Sequence, residues 1–181
     1  NNINKKCFAC LGNHDMESNE ILNRTINELK LLGIKLLRNE SIIYETRKIG
    51  KIQIIGYDFI SKKQKKYRKY ILNNTLEMNP CPTDCHSRRI VLLHDPSGFN
   101  DFDREYNICV FSGHTHGGMI GFRYFGYNIN LINIFSNIPD NGLWSKYNNT
   151  LYIHCGQGSR MLYTNYILRI GIPIEKSCFF V

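Results

Sequence analysis

The stretch Ile108-Cys109-Val110-Phe111-Ser112-Gly113-His114-Thr115-His116-Gly117-Gly118 runs from an apolar segment directly into a turn with two histidines. Its β-branched and aromatic residues favour a strand over the first part. His114 and His116 are two residues apart, so on an extended segment their side chains could leave by the same face. The flanking glycines let the backbone approach a metal ion or a phosphate closely. The stretch therefore predicts a strand whose carboxyl end carries ligands.

Two other segments repeat this pattern of an apolar strand followed at once by polar residues that can bind metal. Residues 6–11 lead into Gly12-Asn13-His14-Asp15, and residues 89–93 lead into His94-Asp95-Pro96. Because ligands of α/β sheets bind at the carboxyl ends of strands, the three turns can converge on one site. Imidazole nitrogens together with an amide oxygen suit divalent metals such as Mn, Fe, Zn or Ni.

The remaining pattern alternates helices with further strands. Ser18 is a plausible N-cap for an amphipathic helix, and Gly33 fits the end of that helix. A basic helix is predicted at 61–72, followed by a polar loop over 73–87. Further strands are predicted at 34–37, 41–45, 51–57, 129–135, 151–155 and 175–181. This order predicts a single α/β layered domain over residues 1–181, without an internal repeat or a linker.

Composition excludes several classes of protein. The chain has 181 residues, of which 43% are hydrophobic and 21% charged, and this balance argues against disorder. No apolar run is long enough for a transmembrane helix, and no targeting segment is recognisable, so an intracellular and a membrane-associated location both stay open. The seven cysteines are an odd number in a chain large enough for a core, which argues against a disulfide framework.

The net charge of +8 is partly concentrated in one segment. Six basic residues fall within eight positions: Lys62, Lys63, Lys65, Lys66, Arg68 and Lys69. They alternate with Tyr67, Tyr70 and Ile71 at roughly helical spacing. One interpretation is a basic amphipathic helix that contacts an anionic membrane or another polyanion; the other is the solvated face of a surface helix. A specific nucleic-acid site is not expected.

The three turns together resemble the later motifs of the calcineurin-like metallophosphoesterase family in sequence, order and spacing. The form Gly113-His114-Thr115-His116-Gly117-Gly118 is similar to the branch of membrane-associated bacterial phosphodiesterases and their eukaryotic relatives. Gly142-Leu143-Trp144 and the segment 169–175 resemble that branch's closing segments. The resemblance implies a layered sandwich of two mixed β-sheets flanked by helices.

The resemblance also implies roles for individual residues. Asn13, His94 and His114 would bind the second ion of a dinuclear divalent-metal site. His116 would bind the first ion, and His14 would contact the substrate phosphate and protonate the leaving group. Two metals about 3.5–4 Å apart clamp an in-line displacement at phosphorus. Supporting positions would be Gly12, Asp15, Asp95, Gly113 and Gly117.

Departures from the family pattern limit what this chain holds by itself. Neither an Asp-x-His nor a Gly-Asp-x-x-Asp motif stands before Gly12 in this sequence, where the family pattern places both. They would stand upstream of Gly12, so the chain is expected to be the C-terminal portion of the domain, without its opening strands and incomplete for catalysis. Met119 and His154-Cys155 also differ from the branch, which leaves substrate preference open. His154 is expected to be a pocket or core residue rather than a ligand.

These observations favour a metal-dependent phosphoesterase that hydrolyses phosphodiesters or phosphomonoesters of a small molecule or a lipid. Two alternatives stay open. One is a catalytically inactive scaffold with the same fold. The other is a basic anion- or lipid-binding module centred on the segment 61–72.

Overall fold

A computed structural model describes the protein over residues 6–46, 50–81, 89–124, 127–130, 140–157, 160–162 and 166–177. Within these residues, a six-stranded mixed sheet forms the centre of the fold. From one edge to the other its strands are β3 (Glu40–Thr46), β4 (Gly50–Gly56), β5 (Arg89–Leu92), β6 (Ile108–Ser112), β10 (Asn149–Ile153) and β9 (Gly142–Lys146). β4, β5, β6 and β10 run parallel, whereas β3 and β9 pair antiparallel at the two edges. The four parallel strands therefore end at the same edge of the sheet.

One face of the sheet is covered by α2 (Lys65–Met78) and by a 3-10 helix at Pro96–Asp101. The main hydrophobic core lies between these helices and the sheet, and all four parallel strands contribute buried side chains to it: Ile55, Val91, Ile108, Val110, Leu151 and Ile153. The opposite face carries β1 (Cys7–Ala9) and β2 (Ile34–Leu36), a parallel pair connected by α1 (Asn19–Leu31). A second core cluster fills this layer. The layering confirms the predicted α/β class and is compatible with the expected sandwich.

The first helix begins and ends where the sequence predicts. The Ser18 hydroxyl accepts the Ile21 N–H at 3.2 Å, which satisfies one of the otherwise unpaired amides of the first turn. Gly33 follows the helix with a φ of +69°, a conformation that costs glycine little. No residue of α1 is buried, and Leu31 is 87% exposed. The apolar face of this helix is therefore only partly covered by the described residues.

The second helix is longer than predicted, and the expected loop at 73–87 is wrong over its first part. α2 continues to Met78 because Leu72 and Leu76 pack into the core. The Asn73 amide also donates to the carbonyls of Lys69 at 2.7 Å and Asp101 at 2.9 Å. A residue type that favours loops is thus fixed inside the helix by a distant partner. The remainder of that loop, residues 82–88, lies outside the described residues.

The strand predictions hold at the centre of the chain and fail towards its end. The segments 41–45 and 51–57 pair as β3 and β4. Two antiparallel hairpins were not predicted: β7 (Gly121–Tyr124) with β8 (Tyr127–Asn130), and β11 (Arg160–Leu162) with β12 (Tyr166–Leu168). The predicted strand at 129–135 overlaps β8 only in part, and 131–139 lies outside the described residues. Residues 175–177 are not in a strand, and 178–181 lie outside the described residues.

Arg68 does not belong to the solvated basic face to which the sequence assigned it. Its side chain is buried, with the residue 4% exposed. The guanidinium donates through Nε to Asp101 at 2.6 Å and through Nη1 to Asp95 at 3.2 Å and Ser97 Oγ at 2.9 Å. Because the two carboxylates are themselves buried, this cation joins α2 to the 3-10 helix that follows β5. The remaining basic residues of the cluster are exposed: Lys62, Lys63, Lys65, Lys66 and Lys69.

Removing the Arg68 charge should destabilise the protein strongly. In Arg68→Met, Asp95 and Asp101 stay buried without their cation, and we expect a loss of about 3–5 kcal/mol in the free energy of unfolding. Lys66→Met, a matched change of an exposed residue on the same helix, should stay within about 0.5 kcal/mol of the wild type. Urea denaturation measures both. Similar losses in the two variants would contradict the assignment of Arg68 to a buried ion-pair network.

Candidate metal centre

The site lies at the carboxyl edge of the six-stranded sheet, where β5 and β6 end side by side. Leu92 is in register with Phe111, so His94 comes level with Gly113. The Gly113 N–H donates to the His94 carbonyl at 3.2 Å and extends the ladder by one step beyond the strands. The turns that follow the two strands are therefore held against each other, which brings His94 and His114 together.

Three side chains from three distant segments meet at this edge. His94 Nε2 lies 2.9 Å from Asn13 Oδ1 and 2.9 Å from His114 Nδ1. The two imidazole rings are 4.8 Å apart between centroids, in an edge-to-face arrangement. Asn13 belongs to the turn after β1, and this turn lies over the carboxyl edge of the sheet. The structure thus brings together the three residues to which the sequence assigned the second metal ion.

The donor set fits a divalent cation. Without an ion, the His94 Nε2–H can donate to both Asn13 Oδ1 and His114 Nδ1. Around an ion, all three atoms would donate lone pairs. An amide oxygen and two imidazole nitrogens are ligand types that suit borderline divalent metals. Within the described residues, no three His, Cys, Asp or Glu side chains are grouped to hold a metal ion, so the candidate set consists of two histidines and the Asn13 amide.

His94 is held in its neutral, ligand-competent form. The pKa of His94 is lowered to about 4, first by burial and then by the neighbouring His114 and His116, while Asp95 and Asp15 act in the opposite direction. The Phe59 ring contributes to this apolar environment, with its centroid 5.9 Å from that of His94 and 6.0 Å from that of His114. An imidazole must be deprotonated to bind metal, so a low pKa leaves the His94 lone pair available at neutral pH.

Gly12 is required by its close approach to His94. A Cβ atom at position 12 would lie 2.7 Å from Cε1 of the His94 ring and 2.8 Å from Nδ1, closer than real contacts allow. The Asp15 carboxylate accepts the Gly12 N–H at 2.7 Å and fixes this turn in place. Gly113 differs, because a Cβ there would meet only the His154 carbonyl, at an ordinary 3.9 Å.

The turn from His114 to Gly118 has a left-handed backbone at several positions. His114 has a φ of +68° and His116 a φ of +52°, which cost about 1–3 kcal/mol each in residues other than glycine. Gly117 also has a positive φ, and a Cβ there would lie 2.8 Å from the Cys155 sulfur. Thr115 Oγ1 donates to the Asp140 carbonyl, and this hydrogen bond holds the turn in place.

The other predicted site residues lie around this group without joining its three-atom contact. His116 is half-buried in the same turn and close enough to affect the pKa of His94. His14 is exposed, and its Nδ1–H donates to the Glu17 carboxylate one helical turn later. The Asp15 carboxylate accepts the Gly12 N–H, and the Asp95 carboxylate accepts the Ser97 N–H. Both are therefore supporting residues.

Sequence reasoning missed several residues that shape the site. Phe59 follows β4 by three residues but is apolar, so the pattern of polar residues after strands did not point to it. Glu17 stands three residues after His14, a spacing at which side chains meet on a helical turn. The sequence placed Arg169 only in the closing segment 169–175. Its guanidinium donates to the carbonyls of Ile172, Pro173 and Cys155 at 2.8–2.9 Å, which ties the C-terminal segment to the end of β10.

The chain has a distant relative among proteins of known sequence. It is 29% identical over 114 residues to Phosphodiesterase YaeI of Escherichia coli (strain K12). The match covers 62% of this chain and 37% of that protein, so the chain spans little more than a third of the relative's length. No protein-family model matches the chain, and no solved structure is significantly similar to it.

The two glycines beside the histidines should respond differently to the same substitution. Gly12→Ala forces the His94 ring to move, and we expect the affinity for Mn²⁺ to fall about tenfold or more, as for other changes that disturb ligand orientation. Gly113→Ala meets no close atom and should keep the affinity within about twofold. Mn²⁺ titration followed by electron paramagnetic resonance measures both. Equal affinities in the two variants would refute the packing role of Gly12.

Proposed function

We propose that this protein is a metal-dependent phosphoesterase. The convergence of Asn13 Oδ1, His94 Nε2 and His114 Nδ1 is the observation that carries the proposal. The distant similarity to a phosphodiesterase suggests phosphoesterase activity on independent grounds. Both lines favour hydrolysis of a phosphate ester at the carboxyl edge of the sheet.

The chain's own residues divide between metal binding and proton transfer. Asn13, His94 and His114 would hold one divalent ion, chosen among Mn, Fe, Zn and Ni by supply and geometry, and His116 would contribute to a second ion. Bound divalent metals supply charge that polarises the phosphoryl group and activates water as the nucleophile. Phe59 keeps bulk water away from one side of the His94 and His114 rings.

His14 is suited to protonate the leaving group. In phosphate-ester hydrolysis, water adds to phosphorus, the bond from phosphorus to the ester oxygen breaks, and the departing oxygen needs a proton. Glu17 accepts the Nδ1–H of His14, which fixes the orientation of the ring and leaves Nε2 as the nitrogen from which the proton would be transferred. Because His14 is exposed, it can approach a substrate that covers the metal site.

Hydrolysis of bis-p-nitrophenyl phosphate and p-nitrophenyl phosphate with added Mn²⁺ tests the enzyme against the scaffold alternative. His114→Ala should lose both bound Mn²⁺ and turnover, because it removes a ligand. His14→Ala should keep its Mn²⁺ while kcat falls about 10²–10⁴-fold, the usual contribution of a general acid. Metal content by elemental analysis accompanies the kinetics. Equal metal loss in both variants would contradict the division of roles, and no turnover by the full-length wild type would favour the scaffold.

We propose, as a second function, that the outer face of α2 contacts an anionic membrane surface. Lys62, Lys63, Lys65 and Lys66 are exposed, and the segment 61–76 contains no acidic residue. Tyr67 and Tyr70 lie on the same surface at 55% and 62% exposure, and amphipathic aromatic rings favour the membrane interface. Within the described residues, no helix has the length and apolar character needed to cross a bilayer.

Vesicle binding should depend on charge at this face. We expect sedimentation with phosphatidylserine-containing vesicles at low salt, and loss of binding as the ionic strength rises above the physiological range. Replacing Lys62, Lys63, Lys65 and Lys66 by Gln should abolish the binding, since each lysine near the surface contributes about 1 kcal/mol. Replacing the exposed Lys30 and Lys35 by Gln is the matched control and should leave binding unchanged. Binding that is equal across salt would discard the proposal.

A further inference from the structure

His154 extends the row of residues at the carboxyl edge of the sheet by one strand. β10 runs parallel to β6 with Ile153 in register with Ser112, and the His154 N–H donates to the Ser112 carbonyl at 2.8 Å. His154 therefore comes level with Gly113, just as His94 does on the other side. The three residues form a row across the ends of β5, β6 and β10, with the glycine in the middle.

His94 and His154 leave the sheet by the same face. Side chains alternate along a strand, and Ile153 points into the core beneath α2. Tyr152 points the other way, where its ring lies 6.3 Å from that of Phe111, and His154 follows it by two residues. Leu92 packs in the cluster on that same face, and His94 follows it by two residues. The side-chain-free Gly113 leaves open space between the two imidazoles.

The tautomer of His154 is set by its own turn. The Gly156 N–H donates to His154 Nδ1 at 2.8 Å, so Nδ1 is an acceptor and the proton of the neutral ring is on Nε2. A protonated Nε2 cannot bind a metal ion, but it is a hydrogen-bond donor. Among the residues that the structure describes, none accepts a hydrogen bond from this Nε2–H. His154 thus presents an N–H of fixed orientation beside the candidate metal centre, and no described residue accepts a hydrogen bond from it.

We propose that His154 is a substrate-binding residue whose Nε2–H donates to a non-bridging oxygen of the phosphoryl group. This inference rests on the proposed function, because it requires that a phosphate ester occupies the edge of the sheet. A phosphoryl oxygen carries negative charge and is a strong acceptor, so the hydrogen bond is of the charge-assisted kind. The contact lies on the opposite side of Gly113 from the Asn13, His94 and His114 group, which would fix the orientation of the phosphoryl group between them.

Two substitutions separate the substrate contact from the role of His154 in its own turn. In His154→Asn, the amide oxygen can take the place of Nδ1 and accept the Gly156 N–H, but the donor at the Nε2 position is lost. In His154→Gln, the longer amide can place an N–H near the Nε2 position, while the acceptor for Gly156 is lost. If His154 has only a structural role, His154→Asn should impair the protein less than His154→Gln. If His154 contacts the substrate, His154→Gln should impair phosphate binding less than His154→Asn.

Inorganic phosphate is the probe, titrated by calorimetry into the Mn²⁺-loaded full-length protein. We expect His154→Asn to keep its Mn²⁺ content and its thermal unfolding midpoint but to bind phosphate about tenfold more weakly, as for the loss of one hydrogen bond to a charged group. His154→Gln should recover a substantial part of that affinity. With p-nitrophenyl phosphate, the KM of the Asn variant should rise in parallel.

Four results would overturn the proposal. Wild-type phosphate affinity in His154→Asn would show that Nε2–H makes no contact, while leaving the phosphoesterase proposal intact. Weaker binding by Gln than by Asn, with a matching fall in thermal stability, would assign His154 to the fold alone. A wild-type protein that binds neither Mn²⁺ nor phosphate would remove the proposed function and this inference together. In the metal-free protein, a long-range ¹H–¹⁵N spectrum should show the proton of His154 on Nε2; a proton on Nδ1 would also contradict the argument.

Discussion

The contact of His94 Nε2 with both Asn13 Oδ1 and His114 Nδ1, at 2.9 Å each, is the constraint on which the rest of the arrangement depends. Bringing these polar side chains together carries a desolvation cost, because Asn13 and His94 are half-buried. The fold accepts this cost through the parallel pairing of β5 with β6, which sets two turns side by side. It also requires a glycine at position 12, since no larger residue leaves room for the His94 ring.

Two arginines stabilise the carboxyl edge of the sheet, and the guanidinium of each donates hydrogen bonds to other groups of the protein. Arg68 binds Asp95 and Asp101 and so holds the 3-10 helix that follows His94 against α2. Arg169 donates to backbone carbonyls, including that of Cys155, and holds the C-terminal segment against the end of β10. An isolated lysine could not replace either residue, because both arginines use several N–H groups in different directions. The positions of the histidines are therefore set by polar contacts as much as by the hydrophobic core.

The sequence predicted the elements whose signal is local. An apolar run followed by a polar turn located the ends of β1, β5 and β6, and the cap at Ser18 located the start of α1. It did not predict features that depend on a distant partner. Arg68 has the spacing of a surface residue, and only Asp101, 33 positions later, shows why it is buried. The extension of α2 depends on Asn73 in the same way. The structure brings Asn13, His94 and His114 together as expected, but Phe59 and His154 join the edge through strand register, which a single sequence does not display.

The left-handed backbone at His114 and His116 would link the metal supply of the cell to the lifetime of the protein, given the metal binding proposed above. These residues hold an unfavourable conformation, which hydrogen bonds such as that of Thr115 help to offset. An ion that binds the folded turn and not the unfolded chain would stabilise the folded state in proportion to the logarithm of its concentration. Metal-starved molecules would then open locally at this turn more often, and proteases act on such openings. Turnover of the polypeptide would thus report on metal availability independently of any reaction at the site.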